Sequence, residues 1–134
     1  QQDLPDNQAI PAVDPNATKS GVTPPPATAG YTIAAARLKL KPGMGAEYKK
    51  RHDEIWPELA KAIHDAGIRD FSIFLDEETG TLFAVQKVAT NNTTAELRKS
   101  EIMHKWWDHM ADIMEVNPDN SPVRTPLKQV FHLD

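Results

Sequence analysis

The chain has 134 residues, a formal net charge of −4 at pH 7 and no cysteine. Its length suits one domain, its acidic balance argues against nucleic acid binding through bulk electrostatics, and the lack of cysteine excludes disulfides and thiolate chemistry. No apolar run approaches the roughly 18 residues of a membrane-spanning helix, so no membrane span is predicted.

Residues 1–30 differ in composition from the rest of the chain. They contain six of the eleven prolines and no aromatic residue. Such a segment has too little apolar surface to form a core and favours extended conformations. We therefore expect a Pro-rich N-terminal tail or linker over 1–30 and one folded domain over 31–134. The start at Gln1 favours an exported or periplasmic protein whose leader was removed, with a cytoplasmic protein as the alternative.

The rest of the chain predicts alternating strands and helices. Residues 31–40 predict a strand, and a helix follows to about residue 66, interrupted near Trp56 because Pro57 lacks an N–H. Gly67 suits the end of that helix. Residues 68–76 and 81–88 predict a β-hairpin. The remaining predictions are a short helix to about residue 99, a helix over 101–115, a loop over 117–122 and a last strand over 128–133.

The order βαββαβ predicts an α+β, ferredoxin-like fold with a four-stranded antiparallel sheet and helices on one face. In the second strand, Phe71 and Ile73 point to one face and Phe74 to the other. Helices cover one face only, and the sheet of a second copy could cover the other. A homodimer is therefore expected.

Two side chains stand out in the first helix. Tyr48 and His52 are four residues apart, so they share its inward face, where a structural helix would carry leucines. An inward histidine is either a core residue or a proton-transfer group. Burial and the neighbouring Asp53 and Glu54 should act in opposite directions, so we expect the His52 pKa near its ordinary value of about 6.5.

Other polar motifs give weaker signals. His104 and His109 point about 140° apart on a helix, so no metal site is predicted. The loop 117–122 is rich in turn-forming residues, and its Asp119 is a candidate base or orienting group for a ring hydroxyl.

Three motifs together resemble the L-rhamnose mutarotase family: the segment 48–59, the pair Trp106-Trp107 and the loop 117–122. Their order and spacing match from about residue 31 to the C-terminus. The resemblance implies a dimeric α/β barrel that interconverts the α and β anomers of L-rhamnose or a related 6-deoxyhexose by acid/base ring opening, without a cofactor. It also implies that His52 is the catalytic proton donor and that Tyr48, Trp106 and Trp107 bind the sugar.

Phe71 departs from the family pattern. Family enzymes carry a tyrosine there that contacts the substrate, and Phe71 keeps the ring but lacks the hydroxyl. Two alternatives remain. The first is a cofactor-independent or haem-dependent oxygenase of the dimeric α/β barrel type, because fold alone does not separate such oxygenases from mutarotases. The second is a non-catalytic sugar-binding accessory protein.

Overall fold

The computed structural model describes residues 30–134, so the expected tail lies almost entirely outside the described part of the chain. Within residues 30–134, four strands and four helices follow one another in the order βααββααβ, with a 3-10 turn after the last helix. They are β1 (Tyr31–Lys39), α1 (Gly45–Asp53), α2 (Pro57–Asp65), β2 (Ile68–Asp76), β3 (Thr81–Ala89), α3 (Thr94–Lys99), α4 (Glu101–Met110), the 3-10 turn (Ala111–Ile113) and β4 (Thr125–Leu127). No helix in residues 30–134 is long and apolar enough to cross a bilayer.

The four strands form one sheet in the order β2-β3-β1-β4. The β2–β3 and β1–β4 pairs are both antiparallel. With α1 and α2 as one interrupted helix and α3 and α4 as another, this is the order βαββαβ. The prediction of a ferredoxin-like α+β fold is therefore confirmed.

The core lies between the helices and one face of the sheet. Leu40, Leu59 and Leu82 are its largest fully buried side chains, and Trp106 and Met110 of α4 are also buried in it. The apolar residues of α2 and α4 recur at spacings of three and four, which gives each helix an inward stripe.

The predicted interruption of the first helix is confirmed. α1 ends at Asp53, and Trp56 has an extended backbone (φ −64°, ψ 130°) directly before Pro57, the first residue of α2. Proline suits this position because its missing N–H would have no helical partner there. Gly67 follows α2 with a φ of +98°, and a Cβ atom there would lie 3.2 Å from Ala89. Both the left-handed backbone and the close approach favour glycine.

Two element boundaries differ from the prediction. The last strand is Thr125–Leu127 and not 128–133, since the register that pairs Leu127 with Ala35 places residues 128–134 beyond the strand. Helix α4 ends at Met110 and not near Glu115, because the chain beyond it joins the end of β1. There the Lys41 backbone N–H donates to the Ile113 carbonyl at 2.9 Å, and the Glu115 N–H donates to the Lys39 carbonyl at 3.0 Å.

The second face of the sheet exposes large apolar side chains. Phe74 of β2 pairs with Phe83 of β3, and they are 62% and 36% exposed. Ile33 and Leu127 are 40% and 36% exposed. We call the surface formed by Ile33, Phe74, Phe83 and Leu127 the open sheet face.

Candidate active site

A cavity of about 630 Å³ lies between the helices and the inner face of the sheet. It brings together the five residues that the family resemblance singles out, Tyr48, His52, Phe71, Trp106 and Trp107, but not the candidate base Asp119. These residues come from α1, β2 and α4, so the fold joins positions up to 59 residues apart. A second cavity of about 980 Å³ shares Tyr48, His52 and Phe71 but has neither Trp106 nor Trp107 in its wall.

Tyr48 and His52 stack on each other, as the four-residue spacing predicts. Their ring centroids are 4.2 Å apart and the planes differ by 28°. Tyr48 is only 8% exposed, and burial raises the pKa of its phenol, so the hydroxyl stays protonated at neutral pH. Within residues 30–134 this hydroxyl has no hydrogen-bond partner, which leaves it free to donate to a ligand in the cavity.

The imidazole of His52 is oriented by the backbone of its own helix. Its Nδ1 lies 3.2 Å from the Tyr48 carbonyl oxygen, which can only accept, so Nδ1 carries the proton and Nε2 has the free lone pair in the neutral ring. Burial lowers the pKa of His52, although the Tyr48 carbonyl and Asp53 act in the opposite direction. Burial therefore outweighs the opposing groups that were expected to keep the His52 pKa near its ordinary value, and the lowered pKa makes the neutral ring the main form at pH 7.

Trp106 holds the imidazole from a second side. The His52 and Trp106 ring centroids are 5.4 Å apart with an interplanar angle of 87°, an edge-to-face contact. Trp56 packs edge-to-face on Trp106 in turn, at 5.0 Å. Trp106 is buried, whereas the half-buried Trp107 lies against His104 at 4.8 Å. Both indoles line the cavity, but Trp106 also belongs to the core.

Phe71 reaches the cavity through an irregularity in β2. The β2–β3 register shifts between Arg69 and Ser72, and Asp70 has a φ of +50°. Such a bulge redirects the following side chain. Phe71 is 44% exposed and lines both cavities.

The loop 117–122 contributes to the cavity, although not through its carboxylate. Asn117 and Ser121 line the cavity and are joined by a 3.0 Å hydrogen bond from Asn117 Nδ2 to Ser121 Oγ. Asp119 is exposed and accepts hydrogen bonds from the backbone N–H and Oγ of Ser121, at 3.0 and 2.5 Å. These bonds lower its pKa, which makes Asp119 a weaker base and an anchor of the loop.

The sequence prediction missed an ionic network beside the site. Arg51, next to His52, donates to Glu47 and Asp112 at 2.8 Å and to the His109 carbonyl at 2.7 Å. The Glu47–Arg51 spacing of four was visible in the sequence. The contact with Asp112, 61 residues away, had no sequence signal. The prediction also missed two cavity-lining arginines, Arg98 and Arg124.

Residues 30–134 contain no group of three or more histidine, aspartate or glutamate side chains placed to bind a metal ion. Aromatic, neutral polar and aliphatic groups dominate around His52. Chemically, this site can stack on C–H groups, hydrogen-bond hydroxyls and transfer a proton at one nitrogen.

Comparison with known proteins agrees with this geometry. A family model described as L-rhamnose mutarotase matches residues 34–133. An L-rhamnose mutarotase of Flavobacterium johnsoniae is 56% identical over 100 residues, covering 75% of this chain and 94% of that protein. One of Brucella anthropi is 57% identical over 99 residues, covering 74% of this chain and 93% of that protein.

Solved structures give the same result. The crystal structure of an L-rhamnose mutarotase from Formosa agariphila superposes with a TM-score of 0.72 at 51% identity, covering 77% of this chain and 99% of that one. A protein of Caulobacter crescentus, described as a putative antibiotic biosynthesis monooxygenase, reaches a TM-score of 0.53 at 19% identity, covering 76% and 92%. The latter likeness concerns the fold alone. The family match and the high identity over nearly the whole length of the relatives decide between these two groups: the chain belongs to the L-rhamnose mutarotase family.

Proposed function

We propose that this protein is an isomerase that interconverts the α and β anomers of L-rhamnose or a related 6-deoxyhexose, without a cofactor, and that His52 is its catalytic residue. One observation carries the assignment of His52. Its ring lies in the cavity between Tyr48 and Trp106, with Nδ1 held by a backbone carbonyl and Nε2 left for proton transfer.

The reaction requires proton transfers at two oxygens. Ring opening removes a proton from the anomeric hydroxyl O1, breaks the C1–O5 bond, forms the C1=O1 carbonyl and adds a proton to the ring oxygen O5. Both oxygens are bonded to C1, so one nitrogen can serve both. Nε2 of neutral His52 accepts the O1 proton and returns it to O5. After rotation about C1–C2, the reverse transfers close the ring on the other face.

The other site residues have binding roles in this proposal. An indole face of Trp106 or Trp107 stacks on sugar C–H groups, and the Tyr48 hydroxyl donates to a sugar oxygen. Phe71 and the cavity-lining Met103 and Met110 offer apolar surface to the methyl group of a 6-deoxy sugar.

The test is anomer exchange measured by saturation-transfer NMR on L-rhamnose, which detects interconversion directly. His52→Asn keeps some hydrogen bonding but cannot titrate, so it should slow exchange at least about a hundredfold, the scale of general acid–base catalysis. The sugar affinity should change much less. His64→Asn is the matched control, because His64 lies on the exposed side of α2 and does not line the cavity.

Two outcomes would contradict the proposal. Near-native exchange by His52→Asn would make His52 a core histidine. Binding of L-rhamnose by the wild-type protein without faster exchange would indicate a sugar-binding accessory protein.

We further infer that two copies associate through the open sheet face. Phe74 and Phe83 are 62% and 36% exposed on neighbouring strands, and water contact with such a patch is unfavourable. The segment 128–134, which follows the edge strand β4, adds Val130, Phe131 and Leu133 at 76–87% exposure. The segment lies almost wholly within residues 34–133, which the family model matches.

Light scattering coupled to size-exclusion chromatography tests this association. The wild-type protein should have the mass of a dimer, and Phe74→Glu should shift it to the mass of a monomer because a charge would be buried between the sheets. Lys99→Glu introduces the same residue on α3 and should leave the dimer intact. A monomeric wild-type protein at micromolar concentration would refute the proposed interface.

A further inference from the structure

Trp56 lies outside both cavities but is connected to His52 by a chain of packed rings. It is half-buried and lines neither cavity. Its ring packs on Trp106 with a centroid distance of 5.0 Å and an interplanar angle of 87°. Trp106 packs on His52 in the same way, at 5.4 Å and 87°. The His52 imidazole is therefore two ring contacts away from Trp56.

The backbone fixes the position from which the Trp56 side chain extends. Trp56 is extended because Pro57 disfavours a helical backbone in the residue before it. The turn that leads to it is closed by a 3.1 Å hydrogen bond from the Ile55 N–H to the His52 carbonyl. The Trp56 carbonyl then accepts from the Ala60 N–H at 3.0 Å, within α2. Trp56 is thus held between the end of α1 and the start of α2.

The side chain of Trp56 lies against two rings of one turn of α4. Its centroid is 5.5 Å from that of His109, and the Trp106 and His109 centroids are also 5.5 Å apart. Arg51 of α1 donates to the His109 carbonyl at 2.7 Å, which holds the same turn close to α1. Because interiors are close-packed, loss of the Trp56 ring would leave Trp106 space to move away from His52.

His52 depends on this packing for its orientation. Its Nδ1 lies 3.2 Å from the Tyr48 carbonyl, at the long end of the normal range for a hydrogen bond. The imidazole also lines both cavities, so it is not enclosed on every side. The ring contacts with Tyr48 and Trp106 therefore supply much of the restraint on the direction of Nε2.

We propose that Trp56 is a positioning residue for anomer exchange, which holds Trp106 against His52 and so keeps Nε2 directed at the sugar. This inference rests on the proposed mutarotase function. Trp56 lines neither cavity, so it does not contact the sugar itself. A misdirected imidazole still permits sugar binding but transfers protons less often, so Trp56 acts on the rate and not on the affinity.

The experiment removes the ring of Trp56 and then restores part of it. Trp56→Leu keeps an apolar side chain without a ring, so the kcat for L-rhamnose should fall by roughly tenfold while KM changes by less than about twofold. Trp56→Phe returns a ring and should recover kcat to within about threefold of wild type. Anomer exchange is measured by NMR below the melting transition and normalised to the folded fraction, which circular dichroism gives.

Ile113→Ala is the matched control for a general loss of core packing. Ile113 is 2% exposed, belongs to the same core as Trp106 and lines neither cavity. This substitution should also lower the melting temperature, because it leaves a space in the core. It should leave both kcat and KM close to the wild-type values.

The NMR signals of the His52 ring provide a measurement that does not depend on activity. The ring current of Trp106 acts on the His52 ring protons, so Trp56→Leu should shift these signals through the displaced indole. The ring signals of His64, which lies on the exposed side of α2, should not move and serve as the internal reference.

Three results would overturn the inference. Near-native kcat or unshifted His52 signals in folded Trp56→Leu would show that Trp56 does not position the imidazole. An equal fall in kcat in Ile113→Ala would assign the effect to stability. A rise in KM with unchanged kcat would make Trp56 a binding residue. A wild-type protein that exchanges no anomers would instead refute the mutarotase function, and the His52 signals would still show whether Trp56 orients the ring.

Discussion

At the scale of single residues, Phe71 offers a direct test of how the sugar is recognised. Its ring lines the cavity from β2 but provides no hydrogen bond. Phe71→Tyr should raise kcat/KM for L-rhamnose by up to about tenfold, the scale of one neutral hydrogen bond of about 0.5–1.5 kcal/mol. Anomer exchange by NMR measures this effect.

Phe74→Tyr is the matched control, because it adds the same hydroxyl to the same strand on the opposite face of the sheet. It should not change kcat/KM. If Phe71→Tyr raises kcat/KM equally for galactose, the new hydroxyl does not recognise the 6-deoxy sugar specifically. Weaker binding of L-rhamnose would show that the hydroxyl reshapes the cavity.

The pH dependence of exchange tests the form in which His52 acts. Burial lowers the pKa of His52 below its ordinary value of about 6.5, so the neutral ring predominates at pH 7. If neutral Nε2 accepts the O1 proton, kcat/KM should be flat from about pH 7 to 8 and fall as the pH drops through the lowered pKa. Exchange measured from pH 5 to 8, corrected for the uncatalysed rate, gives this profile. A rate that rises toward acid would show that imidazolium is the active form.

Sequence reasoning predicted which side chains the fold brings together at the cavity but not their electrostatics. The stacking of Tyr48 on His52 follows from helix geometry alone, which is local. The His52 pKa depends on burial against Trp106, 54 residues away, and this desolvation outweighs the nearby Asp53. Alternation predicted that Phe71 and Phe74 point to opposite faces of the sheet. It did not predict the bulge that precedes Phe71, because bulges depend on pairing with another strand.

At the scale of elements, Arg51 joins α1 to the end of α4. Its side chain is 15% exposed and bonds Glu47, Asp112 and the His109 carbonyl. Arg51→Met keeps the apolar stem but removes these bonds, so the melting temperature should fall by roughly 5 °C at pH 7. Circular dichroism or calorimetry measures this change. Lys49→Met, which removes an exposed pair with Asp53, should have little effect.

The effect of Arg51 should also depend on pH. Hydrogen bonds from Arg51 lower the pKa of both Glu47 and Asp112 relative to the unfolded chain. The stabilisation is therefore complete above the unfolded values of about 4 and is lost as the pH falls through the lower folded values. The difference in melting temperature between wild type and Arg51→Met should shrink below about pH 4. A constant difference would assign the effect to packing and not to charge.

The elements themselves were predictable where their signals are local. The interruption at Pro57, the end of α2 at Gly67 and the hairpin of β2 and β3 follow from backbone chemistry within a few residues. The sequence analysis predicted the last strand too far along the chain, because Val130 and Phe131 have higher β-propensity than the Thr125–Leu127 segment, which contains Pro126. Proline is acceptable at an edge, and pairing with β1 decided the position of β4.

At the scale of the whole molecule, the site and the proposed interface use opposite faces of one sheet. Tyr48, His52, Phe71, Trp106 and Trp107 all belong to one chain and surround one cavity. Phe74 and Phe83, on the open sheet face, do not line it. We therefore expect the second copy to stabilise the fold by covering apolar surface, while each protomer performs the reaction by itself.

A monomeric variant separates these two roles. Phe74→Glu/Phe83→Glu should lose the dimer and lower the melting temperature, because the remaining apolar groups of the open sheet face stay in water. Its anomer exchange per protomer, measured below the melting transition, should remain within about tenfold of wild type, since no cavity-lining residue changes. A folded monomer that binds L-rhamnose but exchanges anomers a hundredfold more slowly would show that the partner completes the site. The segment 128–134 would then be the first candidate for that contribution, because its apolar side chains are free to reach a second copy.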